Sequence, residues 1–333
     1  MTNQCARRGG ALRILGLCLI PLWVVLWDVA ELALLLDNKH IWTHSHLLAA
    51  TLAGKCFLAT VGLLLLGRTF NLRRQVLRGW IAYVLLGAAY QLGFSVVTQY
   101  LSEDTTVRLL AAFALRCVLA VVAILAAKKL FGVGFFGRGK LGRGLFRCGW
   151  CLWLYGLGLL VYAYAAPQKS LAEALPSLAL SALTMLGVGL YEETLWHSVL
   201  FHTMEDGFGE TKKGVVLSVV LSSVLFGQAH MFNLLGYEGA VAAVMAQVCY
   251  AMIVGFALGV IHVRTKSIAL CVLFHALLDF FGGFWSHFLP AAPTASEEMS
   301  AISPWAAVIQ VLLFLPLLVV SIFQLRATLR EAA

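Results

Sequence analysis

Residues 176–203 read PSLALSALTMLGVGLYEETLWHSVLFHT, an apolar run long enough to cross a bilayer, broken past its midpoint by Glu192 and Glu193. A bilayer core of about 30 Å takes roughly 20 apolar residues as a helix. An ionisable side chain at the centre of such a helix costs about 2–3 kcal/mol on insertion scales and is tolerated when it faces the bundle interior or a water-filled cavity. Two adjacent glutamates on a helix point about 100° apart, so at least one must face protein. This stretch therefore reads as a transmembrane helix of a bundle, with an interior that does chemistry.

The same pattern recurs along the chain. Spans of roughly 14–36, 47–67, 80–99, 107–127, 149–166, 176–203, 214–233, 239–262, 267–287 and 305–325 are apolar, and short charged or Pro/Gly-containing breaks separate them. The runs are long and do not alternate, which excludes strands. Of the 333 residues 61% are hydrophobic and 12% charged, against nearly half and a quarter in soluble domains. The expected fold is all-α: a polytopic bundle of about ten transmembrane helices. Residues 1–150 read as scaffold helices, 151–290 as the functional core, and 291–333 as a last helix with a short tail. The first span follows Arg7, Arg8 and Arg13, lacks a small-residue cleavage site and carries Asp28 and Glu31, so it reads as a retained helix.

The formal charge of +8 does not point to nucleic acid, because the basic residues occupy alternate loops. They sit before the first span and at 68–78, 128–147, 212–213, 264–266 and 326–330, whereas the intervening loops hold only Lys39 and Lys169. By the positive-inside rule both termini are cytoplasmic. The lipid bilayer is the expected environment.

Other features read as structural. Cys148 and Cys151 have redox-type spacing but lie where a loop enters a helix, and the eight cysteines read as packing residues. Residues 131–144, Gly-rich with interleaved Arg and Lys, read as a flexible cytoplasmic loop. His40, His44 and His46 read as a solvated external turn rather than a metal site.

The second half places further ionisable groups inside apolar spans. Glu193 and His197 are one helical turn apart and can pair, which leaves Glu192 free to point elsewhere. Phe226 and His230 lie one turn apart in the span 214–233, and His275 and Asp279 lie one turn apart in 267–287. At 1.5 Å per residue, Glu192, His230, His275 and Asp279 sit about 12–24 Å from their cytoplasmic ends, which permits them to meet. Glu192, His230, His275 and Asp279 could bind Zn²⁺, which accepts carboxylate and imidazole ligands, or could activate a water without metal. A buried Glu192 suits general-base work, and a protonated His275 with Asp279 suits stabilisation of an oxyanion.

Together the sequences Glu192-Glu193-Thr-Leu-Trp-His197, Phe226-Gly-Gln-Ala-His230 and His275-Ala-Leu-Leu-Asp279 resemble the motifs EExxxR, FxxxH and HxxxN/D of the CAAX prenyl protease and bacteriocin-processing family, also called Abi. The resemblance covers roughly residues 176–287. It implies an intramembrane endopeptidase of metalloprotease type, in a bacterial cell membrane, that acts on a membrane protein or peptide. By resemblance Glu192 and His230 activate water, Glu193 supports the site, and His275 with Asp279 completes it as metal ligands or oxyanion stabilisers. One position departs: His197 stands where the family has arginine, so a titratable ring replaces a permanent bidentate cation. That departure keeps open a binding-only role, as a membrane immunity or regulatory protein. Buried Asp28, Glu31, Lys55 and Arg116 keep open a transport pathway.

Overall fold

A computed structural model describes residues 2–38, 41, 44–101, 104–137, 142, 144–162, 164–237, 239–290 and 295–331. Every regular element among them is helical. The long helices are α1 (Thr2–Asp37), α2 (Ser45–Thr69), α3 (Arg74–Tyr100), α4 (Thr105–Phe131), α5 (Trp150–Tyr162), α6 (Leu171–Phe208), α7 (Lys212–Ala229), α8 (Val241–Thr265) and α9 (Ile268–Gly283). A short α10 (Ala295–Ser300) precedes α11 (Pro304–Glu331).

Nine of these helices among the described residues are long and apolar enough to cross a membrane. The remaining span expected from sequence, 149–166, is the 13-residue α5, which stops five residues short of Pro167 and follows a π-helical turn over Gly144–Cys148. At 1.5 Å per residue it is about 20 Å long, short of the hydrocarbon thickness.

Local sequence sets the helix ends. The Ser170 hydroxyl accepts from the Glu173 backbone N–H while the Glu173 carboxylate accepts from the Ser170 N–H, a reciprocal cap that starts α6. Asp104 caps α4 through Thr106 and Val107, Thr211 caps α7 through Gly214, and Ser267 caps α9 through Leu270. Gly132 ends α4 at a φ of +70°, a left-handed conformation that a residue without Cβ adopts freely.

Hydrogen bonds and ion pairs gather alternate helix ends onto two faces. On the basic face Arg73 pairs with Asp206 at 3.0 Å, Lys266 lies 3.6 Å from Glu205, and the Ile268 N–H donates to Phe135. On the opposite face the Ser45 N–H donates to Gln99, and the Gln168 and Lys169 N–H groups donate to the Phe288 carbonyl.

The apolar core joins both halves of the chain. Trp80 and Tyr83 of α3, Trp196 of α6 and Phe226 of α7 form an edge-to-face series with centroid separations of 5.9, 5.2 and 5.5 Å. Burying each such ring contributes about 1.5–3 kcal/mol, and the ring geometry adds about 0.5–1.5 kcal/mol per pair. Cys148 and Cys151 are free and buried. His44 and His46 pack ring to ring at 5.8 Å, and His40 lies outside the described residues.

Candidate active site

α6 changes its winding immediately after Glu193. Residues Thr194–Leu200 form a π-helical turn, closed where the Phe201 N–H donates to the Trp196 carbonyl, and every residue of the turn is buried. Such turns insert one residue into an α-helix and cluster at functional sites. Here the turn carries His197 and Trp196 inward together, between the core and the carboxylates.

The Glu193 side chain has no solvent exposure and serves two imidazoles. Its Oε2 accepts from His197 Nδ1 at 2.6 Å, and its Oε1 accepts from His275 Nδ1 at 2.7 Å. An ionised carboxylate is acceptor-only, so both rings present Nδ1–H to it and turn Nε2 away. For His275 this fixes the direction of the other nitrogen, which lies 3.4 Å from Asp279 Oδ2 and 3.8 Å from Glu192 Oε2. That buried Glu192 oxygen has no hydrogen-bond partner. At 3.8 Å it is too far from His275 Nε2 for a direct hydrogen bond.

The approach of α6 to α9 depends on Gly189. A Cβ there would sit 2.9 Å from the Val272 carbonyl oxygen and 3.3 Å from the Ala276 nitrogen. Only a glycine lets these helices come close enough for Glu193 to reach a side chain 82 positions away.

His230 joins from α7, whose α-helix ends at Ala229 and continues as a 3₁₀ turn over His230–Leu235. Its Nδ1 donates to the Phe226 carbonyl at 2.9 Å, which frees Nε2, and the ring lies within electrostatic range of Glu192. Phe226 is the spacer of the site, with centroid separations of 5.0 Å to His230 and 5.8 Å to His275. Gly255 admits it, since a Cβ there would lie 2.8 Å from the Phe226 ring.

Of the metal set named from sequence, His275 Nε2 lies 3.4 Å from Asp279 and 3.8 Å from Glu192. Among the described residues, the group of three donors lying within 4.8 Å of one another is Glu193, His197 and Cys271, not Glu192, His230, His275 and Asp279. By proximity that trio could hold a metal ion. Its donors are already engaged, however. The contact between Glu193 and His197 is hydrogen-bond length, shorter than the ~3.3 Å separating two ligands of a tetrahedral zinc. The Cys271 thiol donates to backbone carbonyls at 3.4 and 3.5 Å, behaving as a packed thiol. Spacing cannot reveal this, because it depends on how Glu193 is turned. As placed, Glu193, His197 and Cys271 do not fit a zinc centre.

Two parts of the site's surroundings, the His202 cluster and Gly189, went unread in the sequence, and a third, the Lys55 group, was read there only as a transport pathway. His202 Nε2 lies 2.9 Å from His262 Nε2, and His202 Nδ1 lies 2.9 Å from Glu205, in a polar cluster behind His197 near the basic face. Lys55 pairs with Asp28 at 2.6 Å and with Glu31, and stands 5.7 Å over the Phe232 ring of the 3₁₀ turn that begins at His230. Thus α1 and α2 brace the turn that presents a site residue. Gly189 was visible only as part of the Gly187-Val188-Gly189 run.

Residues 174–281 match the family described as type II CAAX prenyl endopeptidase Rce1-like. The match runs from α6 to α9 and contains all three motifs, so the resemblance they carry is borne out over that segment. It supports a CAAX-protease-like hydrolase in an integral membrane chain. Comparison with curated proteins and with solved structures gives no match.

Proposed function

We propose, taking the Rce1-like match over residues 174–281 as the premise, that the chain is an intramembrane endopeptidase for a membrane protein or peptide. The observation that carries this reading is the position of Glu193, whose two oxygens hold His197 and His275 and so aim His275 at Glu192 and Asp279.

In the proposed reaction Glu192, assisted by His230, takes a proton from water as the water oxygen attacks the scissile carbonyl. His275, doubly protonated, donates Nδ1–H to Glu193 and Nε2–H to the developing oxyanion, with Asp279 as the nearby counter-charge. Collapse of the tetrahedral intermediate breaks the C–N bond, and Glu192 returns its proton to the leaving amine. Glu193 and His197 touch no substrate atom and act by positioning. Each step is written for these side chains and water alone.

The test compares new protein termini in membranes of cells lacking the protein after adding back wild type or Glu192→Gln at equal expression. Termini that appear only with wild type support the protease and identify its substrate. Identical termini with an intact phenotype favour a binding or immunity protein, the reading that His197 in the arginine position keeps alive.

A further inference from the structure

We propose that Arg116 of α4, with the Tyr90 hydroxyl of α3, holds a carboxylate of the substrate and so selects which peptides the site cleaves. The proposal rests on the protease reading above and names the chemistry its substrate carries.

Arg116 is an intramembrane cation that faces protein. It lies eleven residues from the Thr105 start of α4 and fifteen from its Phe131 end, about 16 and 22 Å from the two ends. The exposed apolar residues Val107, Val118 and Leu125 lie about 160–180° around the helix from it. On its own side Arg116 meets α6 at Gly187, where a Cβ would lie 3.5 Å from the arginine Cδ. A guanidinium at such depth is disfavoured unless it serves a partner, and groups of this kind mark binding sites and pathways.

Its hydrogen bonding is incomplete. Nη2 donates to the Tyr90 hydroxyl at 3.0 Å, and the guanidinium packs 5.8 and 6.0 Å from the Tyr90 and Phe94 ring centres. Among the described residues that is the one hydrogen bond Arg116 makes, and no carboxylate pairs with it. A guanidinium carries five N–H donors in a fixed fork, so most of this fork has no acceptor. The Tyr90 hydroxyl, which accepts from Arg116, likewise donates to nothing among the described residues. Lys55 shows the contrast, because the fold supplies it with both Asp28 and Glu31.

The spare donors lie beside the reacting carboxylate. Tyr90 stacks on Tyr191 at 4.4 Å, and Tyr191 adjoins Glu192 in α6. Both rings are within electrostatic range of Arg116 and of Glu192. Phe131 and Gly209 line one cavity, so the ends of α4 and α6 share a face. Glu192 is sixteen residues before Phe208, about 24 Å from that end and level with Arg116. Lipid phosphates lie at the bilayer surfaces, about 15 Å from its midplane. The anionic group a peptide brings to this depth is a carboxylate, at its C-terminus or on Asp or Glu, and the guanidinium fork fits it with two parallel N–H···O bonds.

The experiment uses full-length protein in micelles and a randomised peptide library in four forms: all carboxylates free, the C-terminus amidated, Asp and Glu replaced by Asn and Gln, or both blocks together. Initial cleavage rates are read by mass spectrometry. Wild type is expected to cleave the doubly blocked form on the order of tenfold more slowly than the free form, the loss of one charge-assisted pair. The single block that reproduces this loss identifies the C-terminal or the side-chain source. Arg116→Gln should bring all forms within about twofold of one another, chiefly through KM, and Arg116→Lys should restore part of the preference. Tyr90→Phe, which keeps the ring, should weaken it. Equal wild-type rates on all four forms overturn the proposal, whether or not Arg116→Gln folds, and so does a folded Arg116→Gln protein that keeps the preference. Binding of the free and doubly blocked libraries to Glu192→Gln protein separates this proposal from the protease reading. Tighter binding of the free form, with no form cleaved faster by wild type than by Glu192→Gln, leaves the carboxylate subsite standing and removes the protease. Equal binding of the two forms removes the subsite.

Discussion

Replacing Glu193 by glutamine tests the central contact with almost no change of volume. The carboxylate accepts two Nδ1–H bonds, at 2.6 Å from His197 and 2.7 Å from His275. An amide offers one carbonyl and one NH₂, so one ring keeps an acceptor while the other faces a donor and must turn or change tautomer. One charge-assisted bond is lost and the other loses its ionic character. At about 1.5–3 kcal/mol for a bond to a charged group, the combined loss is about 3 kcal/mol. If that loss falls on the oriented His275, each 1.36 kcal/mol is a factor of ten, and kcat/KM should fall about 100-fold. The assay is cleavage of a fluorogenic peptide in micelles, with helical content and thermal midpoint measured alongside. A folded Glu193→Gln protein within threefold of wild type would refute the reasoning.

Further outcomes follow from the same geometry. Gly189→Ala drives a methyl against the Val272 carbonyl and should cost about 1–3 kcal/mol of stability, with a larger loss in kcat than in KM; an unchanged thermal midpoint counts against the close crossing of α6 and α9. Lys55→Met leaves Asp28 and Glu31 without their cation and should destabilise by about 3–5 kcal/mol, with much of the loss recovered when Asp28→Asn and Glu31→Gln are added. Absence of that recovery in thermal unfolding would remove the triad as the cause. Dialysis against EDTA should leave peptide cleavage unchanged; a loss restored by zinc would place an ion on Glu192, His230, His275 and Asp279 after all.

The Lys55 result bears on how functions are told apart. A need for Lys55 distinguishes a transport pathway from a protease only if the residue is remote from the protease site. Lys55 instead touches the turn carrying His230, so its loss weakens either function, and Glu192→Gln is the cleaner discriminator.

What the sequence determined by itself is local or summed over many residues. Helical spans follow from runs of apolar residues, the α6 start from Ser170 and Glu173, and the pairing of Glu193 with His197 from four-residue spacing. The cost of carboxylates in hydrocarbon marked the core, and three short motifs marked its chemistry. α5 escaped because hydropathy does not say where a helix loses its winding before a proline. Only the tertiary structure decided that Glu193 also holds His275, that Glu192 keeps an unpartnered oxygen, that Cys271 occupies the metal-like trio, and that Lys55 braces the His230 turn. Each depends on how closely two helices approach and how a side chain is turned. Those quantities are set by packing at Gly189, Gly255 and the π-turn after Glu193, between residues far apart in the chain, and no local pattern encodes them.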